Sequence, residues 1–182
     1  MAEAARSGVF ENAGRRLAGL TVTPVPATLR FNLRARGVAV EAAGRAFGVA
    51  LPVEACQAAA GAERTALWLG PDEWLLLAPE AALPAILDSF RLGLPHSLVD
   101  VSHRLAGLEL SGEAVETVLN AFCPLDLHLG SFPVGMVTRT VFAKAEIVLW
   151  RLAHDRFRLE VARSFGTYVL ALIEEAAHGL AP

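Results

Sequence analysis

The chain has little cysteine, little charge and no long apolar run. Cys56 and Cys123 are the only two cysteines in 182 residues, and they stand 67 positions apart with no Cys-x-x-Cys. That argues against a disulfide framework and a cysteine-built zinc site. Both read as small buried hydrophobes in a reducing, cytoplasmic setting. Lys and Arg number 16 against 19 Asp and Glu, a net charge of -3. Such a balance offers no basic footprint for nucleic acid and no polybasic run for a membrane surface. Arg, Asp, Glu or Pro interrupts every apolar segment before the roughly 18 residues that span a bilayer. Glu3, Arg6, Glu11, Arg15 and Arg16 leave residues 1–21 without the apolar core of a secretory leader.

The sequence also lacks assembled chemistry. It holds no Gly-x-Ser-x-Gly, no His-Glu-x-x-His, no Gly-x-Gly-x-x-Gly and no P-loop, so four common routes to catalysis or phosphate binding have no carrier. None of His96, His103, His128, His154 and His178 stands in a close pair suited to a metal. The most polar spot is Asp100-Val101-Ser102-His103-Arg104. There a carboxylate, hydroxyl, imidazole and guanidinium either form a proton-relay or anion site or satisfy a turn and one another. Arg30, Arg34 and Arg36 read as a solvated row. Arg139, Lys144, Arg151, Arg156 and Arg158 form a second cationic group with a possible anion-binding role, and Arg104 with Arg139 would be its centre.

What the sequence does have is core. Hydrophobic residues make up 54% of it, enough for one ordinary domain or two similar halves. Residues 1–26, with Gly8, Gly14, Gly19, Pro24 and Pro26, read as a loose N-terminal arm. From Thr28 to Ala35, Leu29, Phe31 and Leu33 alternate with Arg30, Asn32 and Arg34, which predicts a strand with one buried and one wet, cationic face. A helix is expected over Val38–Phe47, ending near Gly48; residues 53–63 are ambiguous. Thr65–Leu69 and Trp74–Ala78 flank the turn Gly70-Pro71-Asp72-Glu73. Both arms are apolar on both faces, so this hairpin should be central and covered on each side. Leu83, Ile86, Leu87 and Phe90 make one stripe of a helix over about Glu80–Leu92.

The second half repeats the plan. Strands are expected over Ser97–Val101 and Leu105–Leu110, then a helix capped by Ser111 and ended by Pro124. Three strands follow, Val137–Ala143, Glu146–Leu152 and Arg156–Val161. A last helix over about Ser164–Ala177 is closed by Gly179 and Pro182. Trp68, Trp74 and Trp150 are core residues first. The expectation is an α+β domain over residues 27–182. It comprises two pseudo-repeated βαββα-like halves, about 27–95 and 96–178, sharing a mixed or antiparallel sheet core.

Several segments carry a resemblance in order and spacing: Leu67-Trp68-Leu69-Gly70-Pro71-Asp72-Glu73-Trp74-Leu75-Leu76, Val99-Asp100-Val101-Ser102-His103-Arg104, Leu108-Glu109-Leu110-Ser111-Gly112 and Cys123-Pro124-Leu125-Asp126-Leu127. So do Phe132-Pro133-Val134-Gly135, Arg139-Thr140, Lys144-Ala145-Glu146-Ile147-Val148-Leu149-Trp150-Arg151 and Val161-Ala162-Arg163-Ser164-Phe165. Together they resemble the gamma subunit of heterotetrameric sarcosine oxidase over about residues 28–175. The resemblance implies a complex of alpha, beta, gamma and delta chains. That complex oxidises sarcosine to glycine with oxygen, yielding hydrogen peroxide and either formaldehyde or methylenetetrahydrofolate. It implies FAD, FMN and NAD on the alpha and beta chains, zinc on delta, and no cofactor on gamma. The implied fold is that of the folate-binding region of the glycine-cleavage aminomethyltransferase.

The sequence departs from that wider superfamily in two respects. The Lys-Gly-Cys motif of iron–sulfur-assembly relatives is replaced by Lys144-Ala145-Glu146, and no motif places a folate-gripping carboxylate. No catalytic, cofactor-binding or metal residue is therefore expected in this chain; the candidate polar or interface cluster is Asp100, Ser102, His103, Arg104 and Arg139. A mean hydropathy of +0.44 predicts that apolar surface is left over for a partner. The alternatives are a stand-alone tetrahydrofolate-binding one-carbon transfer or iron–sulfur-assembly protein, and a small-anion-binding module.

Overall fold

Leu20 and Val22 alternate with Thr21 and Thr23, and that period-two pattern decides how the chain begins its fold. In the computed structural model, which describes residues 8–180, this segment is a hairpin of β1 (Arg15–Leu17) and β2 (Leu20–Pro24), with Leu20 and Val22 buried. The expected loose arm is a folded element over these residues, because the alternation supplies a face to bury. Gly19, at φ +65, turns the chain between the two strands. Residues 1–7 of that arm, and Pro182, lie outside the described residues.

The order continues with β3 (Thr28–Ala35), α1 (Val38–Phe47), β4 (Ala58–Ala60), β5 (Thr65–Gly70), β6 (Glu73–Pro79) and α2 (Leu83–Ser89). Then come β7 (His96–Asp100), β8 (Leu105–Ser111), α3 (Val115–Asn120), β9 (Val137–Phe142), β10 (Ala145–Ala153), β11 (Arg156–Ala162) and α4 (Gly166–His178). The strands form two antiparallel sheets, ordered β4-β5-β6-β3-β7 and β1-β2-β8-β11-β10-β9.

The repeat is visible in these orders. In each half the first strand, β3 or β8, pairs with the last strand of a three-stranded meander, β6 or β11. A helix follows the first strand and another follows the last. The unit is βαβββα, one strand richer in the first half than its pattern predicts, because the ambiguous Ala-rich stretch supplies β4. Each half has its own sheet, and the two exchange edge strands. β7 pairs with β3, placing Asp100 opposite Phe31, while β2 pairs with β8, placing Val22 opposite Leu110.

Helices cover the outer faces. Phe31, Leu33, Phe47, Trp74, Leu76 and Ile86 form the layer under α1 and α2. Leu110, Leu119, Phe157, Leu159, Val169 and Ile173 form the layer under α3 and α4. The remaining faces meet each other, with Leu67, Leu75 and Leu77 of the first sheet packing against Val137 of the second beside half-buried Val148 and Trp150. The β5–β6 hairpin is therefore covered on both sides, as its doubly apolar pattern predicts. A bridge between Gln57 and Met136 joins the sheets at one rim, and the Val137 N–H donates to the Cys56 carbonyl at 2.9 Å. This holds Cys56 half-buried at φ +62, so only Cys123 is the buried hydrophobe expected of both.

Two helix expectations shift. Glu80–Ala82 is a 3-10 turn and α2 begins at Leu83, where Pro84 lacks a donor the first turn does not need. Ile86 and Phe90 are buried but Leu87 is 54% exposed. Ser111 does not cap α3, because it still belongs to β8 and α3 starts only at Val115. Between them Gly112 sits at φ +125, where a Cβ would collide with the Gly19 carbonyl oxygen.

On the face of β3 expected to be wet, Arg34 is exposed, but Arg30 meets the other sheet. Arg30 is 5% exposed and Glu160 of β11 is 2% exposed. Arg30 Nε donates to Glu160 Oε2 at 2.6 Å, and Arg158 donates to Oε1 from Nε at 2.8 Å and Nη2 at 2.6 Å. One buried carboxylate thus bonds two guanidiniums from different sheets. Gly107 of β8 leaves them room, since a Cβ there would lie 2.9 Å from Glu160 Oε1 and 3.0 Å from Arg30 Nη2. Replacing one partner of a buried ion pair leaves an uncompensated charge. Glu160→Gln is expected to cost about 3–5 kcal/mol of unfolding free energy, read from the urea midpoint.

Candidate functional site

Four of the five expected site residues come together in the turn between β7 and β8. The Asp100 carboxylate accepts the Ser102 N–H at 2.8 Å, a local turn bond of the kind Asp makes readily. The Ser102 hydroxyl oxygen accepts the Arg30 N–H at 2.9 Å, and the Arg30 carbonyl accepts the Val101 N–H at 2.8 Å. The Arg104 N–H returns to the Val101 carbonyl, and the Arg104 carbonyl accepts the Arg163 N–H, each at 2.9 Å. Asp100 and Ser102 thus fix the turn to β3. His103 and Arg104 are exposed.

This turn forms one wall of a cavity of about 360 Å³, where Ser102 and His103 meet Arg30, Gly107, Glu80 and Arg163. Residues 8–11 and 24–28 also line it. The charges lining it are mixed. Its deepest cation, Arg30, is already paired with Glu160.

Arg139 is elsewhere. It projects from β9 to Glu73 at 2.8 Å and to Glu146 at 3.6 Å. Glu73 gathers two further contacts from β3 of its own sheet: Asn32 Nδ2 donates to its Oε1 at 2.7 Å, and Arg34 lies 2.8 Å from Oε2. Beside it Asp72 holds Arg34 at 3.1 Å and Arg36 at 2.6 Å. Burial pushes the Glu73 carboxyl up, but the hydrogen bonds from Asn32 and Arg139 and the charges of Arg139 and Arg34 outweigh it and hold the group below its ordinary 4.5. The Arg36 hydrogen bond is the main reason Asp72 is held below 3.8. An anion site centred on both Arg104 and Arg139 does not form.

Two of the other expected cations, Arg151 and Arg158, also have internal partners, Arg158 pairing with Glu160. Arg151 has no exposed side-chain surface. Its Nη1 donates to the Leu127 and Phe132 carbonyls, both at 2.8 Å, and its Nη2 to the His154 carbonyl at 2.6 Å. Glu116 pairs with it, and its Cζ lies 4.6 Å from the Phe157 ring centroid. A hydropathy pattern cannot reveal such a residue, because a charged side chain reads as surface until its loop is built around it. Trp74 is buried and donates to the Pro52 carbonyl at 2.8 Å. Among the described residues, no three His, Cys, Asp or Glu side chains gather as a metal set, and no helix is long and apolar enough to cross a membrane.

Comparison with known proteins gives a consistent picture. Residues 34–178 match the family described as "Sarcosine oxidase, gamma subunit family". The chain is 36% identical over 181 residues to the sarcosine oxidase subunit gamma of Corynebacterium sp. (strain U-96), spanning 95% of this chain and 85% of that one. It is 43% identical over 108 residues to the subunit gamma of an Arthrobacter species, spanning 58% of this chain and 53% of that relative. Its fold matches a chain in the heterotetrameric sarcosine oxidase of Corynebacterium sp. U-96 with a TM-score of 0.87 and 27% identity over 97% of each chain. A match to the glycine cleavage system aminomethyltransferase T of Bartonella henselae has a TM-score of 0.64 at 11% identity. It covers 86% of this chain and 46% of that one, which is a likeness of fold alone.

The acids of the Asp72–Glu73 turn make stability depend on pH. A carboxyl held below its unfolded value stabilises the fold fully above that value, and the contribution fades as the pH falls through the folded value. The urea midpoint should therefore decline below the ordinary Glu and Asp values of 4.5 and 3.8. Glu73→Gln should lower the midpoint at about pH 7 and flatten the decline toward about pH 3, so that the two curves converge in acid.

Proposed function

We propose, on the premise that this chain belongs to the sarcosine oxidase gamma subunit family, that it is the non-catalytic subunit of a cytoplasmic heterotetrameric sarcosine oxidase. In this reading it packs on the alpha subunit and supports assembly with the beta and delta subunits. The complex demethylates sarcosine oxidatively to glycine, hydrogen peroxide and formaldehyde or methylenetetrahydrofolate. The companion chains hold FAD, FMN, NAD, tetrahydrofolate and zinc.

The observation that supports this most is the near end-to-end likeness to one chain of such a complex, 97% of each chain at a TM-score of 0.87. The chemistry of the interior points the same way. Arg30, Arg151 and Arg158 are bonded to acids or carbonyls of the same chain, so these guanidiniums serve the fold.

Co-expression with the companion chains tests the reading. The chain is expected to co-elute with them in one complex, while the isolated chain neither turns over sarcosine nor gives heat with tetrahydrofolate in titration calorimetry. Elution as a lone chain beside a complete oxidase would reject the subunit role. Saturable tetrahydrofolate binding by the isolated chain would favour a stand-alone one-carbon protein.

A further inference from the structure

The two halves are joined covalently through one short stretch, residues 91–95, between the end of α2 and the start of β7. Among the described residues, no backbone-to-backbone hydrogen bond involves residues 91–95. The Leu94 carbonyl meets only the ring nitrogen Nδ1 of His96, at 2.8 Å. Leu92 and Leu94 rest half-buried on the first core. Gly93 stands at φ +64, and a Cβ built there would touch nothing within 4 Å. The Arg91 side chain is 83% exposed, with only the exposed Asp88 beside it at 3.4 Å.

What holds the halves together lies elsewhere. The β7 ladder on β3 runs from Phe31 opposite Asp100 to Ala35 opposite His96, and the β2 ladder on β8 from Thr21 opposite Ser111 to Pro24 opposite Leu108. Two related bonds extend them: the Val101 N–H donates to the Arg30 carbonyl at 2.8 Å, and the Val25 N–H to the Gly107 carbonyl at 3.0 Å. The ion pairs Arg30–Glu160 and Arg139–Glu73 also cross. Each half thus supplies an edge strand to the sheet of the other, and all of these bonds survive loss of the linker.

We infer that the Arg91–Leu92 bond is the tolerated cleavage site of this chain for an arginine-specific protease, and that the chain cut there stays folded as two interlocked fragments. Water adds across the peptide bond, leaving a carboxylate on Arg91 and an ammonium on Leu92. A protease takes its substrate as an extended strand, so it cuts where the chain leaves its place at least cost. The other basic residues are held more firmly. The carbonyls of Arg36, Arg64 and Arg104 accept the N–H groups of Ala39, Gly61 and Arg163, and that of Arg163 accepts from Gly166. Lys144 sits in the two-residue turn between β9 and β10, and the remaining described arginines lie within helices or strands. This holds for the chain by itself, with or without companion subunits.

The experiment is brief trypsin treatment of the folded full chain, with the products identified by mass spectrometry and passed over a sizing column. The first cut within residues 8–180 should fall after Arg91, and Arg91→Gln should slow it about tenfold or more. The two fragments should co-elute at the position of the uncut chain in buffer and part in urea. Unfolding of the cut chain releases two molecules, so its urea midpoint should rise with protein concentration, while that of the uncut chain stays fixed. A first cut elsewhere in residues 8–180, an unchanged rate in Arg91→Gln, or fragments that separate or precipitate in buffer would each overturn the inference. So would a midpoint of the cut chain that does not move with concentration.

Discussion

Glu160 sits between Arg30 of one sheet and Arg158 of its own, with almost no access to water. Everything else in the interior has to respect that group. The faces of the two sheets that turn toward each other carry leucines and valines in the middle, but close packing alone would let them slide. A bidentate ion cluster cannot slide without exposing a charge to a medium that does not solvate it. It therefore fixes the register of the two layers. Gly107 follows from it, since any side chain on β8 would occupy the space of the guanidinium.

The same device recurs on a smaller scale. Glu73 ties β6 to β3 and β9, and Arg151 ties the end of β10 to the loop before β9. In each case a charged side chain satisfies several strand or loop partners at once, and its donors or acceptors are already bonded within the chain. A molecule built this way offers a reacting ligand few unengaged buried groups.

The local patterns of the sequence carried the fold a long way. The alternation of Leu29, Phe31 and Leu33, the doubly apolar arms around Gly70–Glu73 and the segment Val38–Phe47 ending at Gly48 each predict the element that forms. What they could not carry was partnership between elements. Arg30 on an alternating strand is indistinguishable from a solvated arginine until Glu160, 130 residues later, arrives opposite it. His96–Asp100 looks like the start of the second half because it follows α2, yet hydrogen bonding assigns it to the first sheet. Residues 15–24 look like a tail because glycines and prolines surround two buried side chains. Of the expected site, the Asp100–Arg104 turn was legible because its bonds are local, whereas Arg139 was misplaced because its partner Glu73 lies 66 residues away.

The traded edge strands also bear on biosynthesis. The first sheet is complete only when β7 has left the ribosome, and the β1–β2 hairpin finds its sheet only after β8 has done so. Early synthesis therefore carries Leu20 and Val22 unburied across the production of some eighty residues, a window in which nascent chains invite chaperones or aggregation. A cut between the halves would strand β7 and β1–β2 on the wrong fragments. The two halves look like duplicates, but the fold makes them a single cooperative unit.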